Sequence, residues 1–191
     1  MPSPILKNSA GFTLIEVMVV TVLFVLIIAG LFELYMWHGK MYDYEQALAR
    51  TEGSARAAVD NMDAYISQAY RVLPSATING NLYATATTTL VAELPAIDGS
   101  GDVLNGKWDT VAFYLTGNQL FEAVSSDPSS SRLSLVKQLS DTAESLAFTY
   151  NNTDDSQVTE VTVSLTTTTQ MQTTKQTVSS AVEQDIYLRN Y

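Results

Sequence analysis

The feature that most restricts this chain is an apolar run at residues 12–34. Across residues 17–32 only Thr21 is polar. At about 1.5 Å per residue, a helix over this run reaches roughly 35 Å, enough to cross the hydrocarbon core of a bilayer. Beyond about residue 75 the chain becomes rich in Thr, Ser and Ala, with apolar residues alternating in short runs. The 46% hydrophobic content is therefore an average over two different materials, a membrane-type segment and a polar head.

What precedes the run sets how it is used. Residues 1–11 are short and polar, with Lys7 as their one charged side chain. A secretory signal peptide places its apolar region before its cleavage site. Here the order is reversed: a cut between Gly11 and Phe12 leaves the apolar run on the mature protein. Lys7 before the run, with Glu33 and Asp43 near its far end, puts the N-terminus in the cytoplasm by the positive-inside tendency. Glu16 is the odd residue of the run. A carboxylate in an apolar helix costs about 2.5 kcal/mol or more at the bilayer centre. Near the helix start that cost is lower, and the positive end of the helix dipole favours an anion. Residues around Glu16 must decide between a carboxylate reaching to the interface and one with a dedicated partner.

Gly11-Phe12-Thr13-Leu14-Ile15-Glu16, followed by about twenty apolar residues, resembles the processing site of type IV prepilins and of the pseudopilins of type II secretion and DNA uptake. The resemblance implies that a membrane prepilin peptidase cuts after Gly11 and methylates the new amino group of Phe12. It implies that Glu16 meets the Phe12 amine of a neighbouring subunit in a filament core. Two buried opposite charges compensate only when paired, so such a pair also reports register. The implied partners are other pilin or pseudopilin subunits, the peptidase and an inner-membrane assembly platform. The implied location is the cytoplasmic membrane as a single-pass protein, then a cell-surface filament. The chain departs from many pilins in having no Pro between Pro4 and Pro74.

After the run, Ala55, Val59, Met62, Ile66, Ala69 and Leu73 follow four-three spacing, an apolar stripe on one helical face. Glu52, Arg56, Asp60 and Asp63 mostly lie off it. Pro74 denies a backbone donor and disfavours helical geometry at Leu73, so a nearly continuous helix is expected over residues 12–73. The expected divisions are a cleavable leader at 1–11, a membrane or filament-core helix at 12–34, its amphipathic continuation at 35–73 and a β-rich head at 74–191. Residues 75–105 read as irregular with one strand near 83–92. Strands at 110–115 and 119–124 are joined across Gly117-Asn118, a hairpin signal. A further strand is expected at 133–139. Leu146, Phe148 and Tyr150 alternate, a turn follows at 151–155, and Val161, Val163 and Leu165 share one face of a strand over 158–168. The threonines at 166–169 and 173–174 read as solvated strand ends or a linker loop. The fold class is α+β, a long N-terminal helix packed on an antiparallel sheet. The order of the later features, from the Ala- and Arg-rich stretch at 46–56 through Ser145–Tyr150 to Tyr187-Leu188-Arg189-Asn190, resembles the larger minor pilins and J-type minor pseudopilins.

Composition narrows the function classes. The formal net charge of -10 repels phosphate, so no direct nucleic-acid binding is expected, and an anionic membrane surface is a poor partner. With no cysteine and one histidine, His38, thiolate catalysis, disulfides and multi-His metal sites fall away. Asp98 and Asp102 flank Gly99-Ser100-Gly101, but two carboxylates at that spacing do not match a calcium hand, and no metal or other cofactor is expected. No nucleophile–base pair or phosphate loop is present, and Asp154-Asp155 reads as a turn. Two functions remain in play beside the structural subunit of a pilus: a pseudopilin of type II secretion, and a surface adhesin on a pilin-like anchor. An exposed aromatic patch on the head is the mark of the last.

Overall fold

The computed structural model describes residues 11–189 of the 191. The leader before Gly11, with Lys7 and Pro4, and the terminal Asn190 lie outside the described residues. The chain divides into two compact units, Met1–Asp43 and Tyr44–Tyr191. In the first, helix α1 (Leu14–Ile66) carries the apolar run, and every large apolar side chain of that run is exposed. Among the described residues nothing within that unit buries them, which is what a helix surrounded by lipid or by other helices requires. The absence of proline leaves α1 unbroken.

In the second unit α1 becomes amphipathic. Ala55, Ala58, Val59, Met62 and Ile66 are buried, while Arg56 and Asp60 are exposed. The helix ends at Ile66, short of the expected Leu73. The amide of Tyr70 bonds the Glu93 carbonyl at 2.8 Å, which draws the chain into strand β1 (Arg71–Val72) before Pro74 is reached. The apolar stripe misled because strand alternation continues it. Val72 points into the main core, whereas Leu73 packs on the opposite face against Ile78, Val91 and Ala112.

The head holds two main antiparallel sheets, as the α+β expectation of a helix on antiparallel β-structure requires. Strands β4 (Thr89–Ile97), β5 (Val103–Thr116), β6 (Gln119–Ser125) and β7 (Leu135–Ser140) join β1 in the order β1-β4-β5-β6-β7. Strands β8 (Ala143–Tyr150), β9 (Glu160–Gln170) and β10 (Thr177–Tyr187) form the second sheet in the order β10-β9-β8. Both sheets turn one face to α1 around Leu90, Phe113, Leu120, Phe148, Val163 and Leu165. The β5–β6 hairpin turns at Gly117, whose φ of 61° is the left-handed geometry that a two-residue turn with Gly first demands. Val161, Val163 and Leu165 line one buried face of β9, as their alternation predicts.

Two readings of the sequence need correction. The stretch 75–105, read as irregular with one strand near 83–92, instead holds a hairpin of β2 (Ser75–Ile78) and β3 (Asn81–Ala84) turning at Asn79-Gly80, both at positive φ, with β4 starting only at Thr89. That is the type I′ signature of an Asn-Gly pair, and the hairpin lies over the face of the five-stranded sheet away from α1. The threonines at 166–169 are not solvated ends. They lie within β9, paired with β10 along their whole length, and Thr167 is fully buried, its hydroxyl donating to the Thr51 carbonyl of α1 at 3.0 Å.

Candidate processing and assembly site

Gly11, Phe12 and Thr13 stand outside the helix, and Leu14 begins it. The Gly11–Phe12 peptide bond is therefore in non-helical backbone, with Glu16 on the first turn of α1. Phe12 is 81% exposed. Among the described residues, a Cβ built on Gly11 meets no atom within 4 Å, so the described fold makes no demand for glycine there.

Thr13 caps the helix. Its carbonyl accepts from the Val17 amide at 3.2 Å, and its hydroxyl accepts from the Glu16 amide at 3.3 Å. Glu16 reaches back: its Oε2 accepts from the Thr13 amide at 3.3 Å and lies 3.5 Å from the Thr13 hydroxyl. This is a capping box, which satisfies amides that the first helical turn leaves without partners. The signal was present in the sequence as Thr-x-x-Glu before an apolar run, and Thr13 is the residue that motif reading by family resemblance alone passes over. All these bonds are longer than the usual 2.9–3.0 Å of an amide hydrogen bond. Glu16 is held by its own chain, but weakly.

Elsewhere the polar groups of the head serve its loops. Asp98 Oδ1 accepts from the amides of Ser100 and Asp102 at 2.8 and 3.0 Å, so this carboxylate closes its own turn. Asp154 caps a short 3-10 turn at Asp155–Gln157 and accepts from Ser156, which holds its carboxyl below the usual range. Among the described residues no three His, Cys, Asp or Glu side chains gather to hold a metal. The most developed polar network ties the β6–β7 loop down. Buried Asp109 accepts from the Asp127 amide (2.8 Å), the Ser130 hydroxyl (2.7 Å) and Arg132 (2.9 Å), and Arg132 also donates to Pro95 and Gln68. Arg132 borders an open groove of about 310 Å³, but its guanidinium is already committed to these partners. Tyr83, Tyr114 and Phe121 form an aromatic row with centroids 4.8 and 5.6 Å apart. The rings are half-buried and spend their faces on one another.

Against known proteins, the chain matches the family model of the prokaryotic N-terminal methylation motif over residues 6–32. No curated protein and no solved structure matches it. The match ends within the apolar run, so it supports a type IV prepilin-like N-terminus and leaves the head to be read from its own structure.

Proposed function

We propose that the chain is a minor structural subunit of a type IV pilus or related pseudopilus. One coincidence supports this reading: the methylation motif lies on a capped helix whose apolar surface is exposed, with its Gly-Phe junction just outside the first turn. A prepilin peptidase cuts after Gly11 and methylates Phe12. The subunit sits in the cytoplasmic membrane as a single-pass protein, N-terminus in the cytoplasm and head outside. On assembly Glu16 exchanges its long bonds to Thr13 for the charged Phe12 amine of a neighbour, a stronger partner in low dielectric. The head is a folded display module with no catalytic role. Minor rank is favoured by a large head of two sheets and by the resemblance of its later strands to minor pilins and J-type pseudopilins. A surface adhesin on the same anchor is less favoured, because the rings of the head's aromatic row are half-buried and pack on one another. Proteomics of sheared filaments, with electron microscopy of a deletion strain, tests the assignment. Low abundance and fewer filaments of ordinary length are expected. Finding this chain to be the most abundant filament protein overturns the minor rank.

A further inference from the structure

The helix carries a second feature that neither the motif nor the apolar run explains. Within eight residues past Leu34 stand Tyr35, Trp37 and Tyr42, in a chain of 191 residues with 10 Tyr and 2 Trp. All three are exposed, at 73%, 57% and 66%. Met36 and Met41 lie between them, also exposed, and the basic side chains of this stretch are His38 and Lys40. The Trp37 and His38 rings meet edge-on at 5.5 Å.

The arrangement around the helix discriminates between partners. Tyr35 and Tyr42 are seven residues apart and fall on nearly the same side, whereas Trp37 is turned from Tyr35 by about 160° at 100° per residue. A helix docking into a protein groove shows its anchors as a stripe on one face. Aromatic rings on opposite faces suit an environment that surrounds the helix. The level along the axis agrees. Counting about 20 residues, one hydrocarbon thickness, from Val17, the first residue after the Thr13–Glu16 cap, ends at Met36. Trp37 is then the first side chain beyond the hydrocarbon. Trp and Tyr concentrate at that level because each joins an apolar ring to a polar N–H or O–H.

We propose that Tyr35, Trp37 and Tyr42 form an aromatic collar seated in the phospholipid headgroup layer at the far face of the membrane. The collar fixes the depth of the unassembled subunit. It also places Glu33 about one helical turn below Trp37, close enough to the interface for its carboxylate to reach polar surroundings. The proposal rests on the membrane-span reading of α1.

The test uses the full chain with Trp108→Phe, which leaves Trp37 as the one indole, reconstituted in phosphatidylcholine vesicles. Quenching by lipids spin-labelled near the acyl carbonyls is compared with quenching by lipids labelled near the chain ends. The collar predicts about twofold stronger quenching by the shallow label. Stronger quenching by the deep label overturns the proposal. So does loss of all lipid quenching, with access to aqueous acrylamide, in vesicle-bound protein, which would leave the collar to water or to another protein. If the chain does not float with the vesicles, the membrane-span reading fails first and the collar with it. Should Trp108→Phe misfold, the difference between the wild type and Trp37→Phe carries the same comparison.

Discussion

Replacing Arg132 by Met probes the energetics of the head at its most exposed weakness. Asp109 is fully buried, and the Arg132 side chain is 12% exposed. At 2.9 Å and an effective dielectric of about 20, the attraction between the two charges is about 6 kcal/mol. Desolvation of two ions offsets most of that, so the intact pair contributes little net stability. Removing the cation alone is another matter. Asp109 keeps the Asp127 amide and the Ser130 hydroxyl as donors, yet its charge stays buried without a counter-ion. The expected loss is about 3–5 kcal/mol, a large share of the roughly 5–15 kcal/mol that holds a domain of this kind together. Pro95 and Gln68 lose a donor as well, which loosens the β6–β7 loop. The assay is guanidinium denaturation in mild detergent of a Trp37→Phe background. There the remaining Trp108, packed at a tilt against Tyr70 with ring centroids 4.9 Å apart in the same region, reports the head. The double variant Asp109→Asn with Arg132→Met should recover part of the loss, because it removes both charges. A cost below about 1 kcal/mol for Arg132→Met, the range of exposed ion pairs, would refute the reasoning, as would strict additivity in the double variant.

Three further outcomes follow from the structure. Glu122 is buried beside the Tyr65 hydroxyl, and burial pushes its carboxyl above the ordinary range while pushing Tyr65 up to about 12. Its folded pKa exceeds its unfolded one, so this group stabilises the head fully at low pH and loses that contribution as pH rises through the folded value. Glu122→Gln should therefore raise the thermal midpoint at neutral pH and flatten its fall between acid and neutral pH; a variant less stable than wild type at pH 7 counts against it. Gly11→Leu should leave folding and membrane insertion unchanged, since a side chain there meets nothing, yet block leader removal, read as an unshortened band on a gel. Glu16→Ala should insert normally and lose only its long capping contacts with Thr13, while its recovery in sheared filaments falls; wild-type incorporation would sink the pairing with Phe12.

Local signals carried most of what the sequence revealed. The apolar run, the hairpin at Gly117-Asn118 and the alternation of Val161, Val163 and Leu165 are each set by residues within a few positions of one another, and each stands as read. The β2–β3 hairpin escaped although Asn79-Gly80 announces it, because its four-residue strands are too polar and short to display alternation. The helix end escaped for the opposite reason: Val72 and Leu73 are apolar on both faces of a strand, which mimics a continuing helical stripe. Asp109 on β5 and Arg132 in the β6–β7 loop lie 23 residues apart, and nothing in either neighbourhood marks them as partners. Thr167 looks like its neighbours in a threonine run, and only the packing of β9 on α1 buries it. At the N-terminus the Gly-Phe-Thr-Leu-Ile-Glu motif was legible as a whole, whereas the role of Thr13 became visible only with the capping geometry.

The central claim is that this chain is matured at the Gly11–Phe12 bond. Mass spectrometry of the N-terminal peptide, from protein isolated out of its native membrane or filament, tests it most directly. The expected chain begins at Phe12 and carries one methyl group on its α-amine. A chain that retains the Met1 leader, or that begins within or beyond the apolar run, would contradict it.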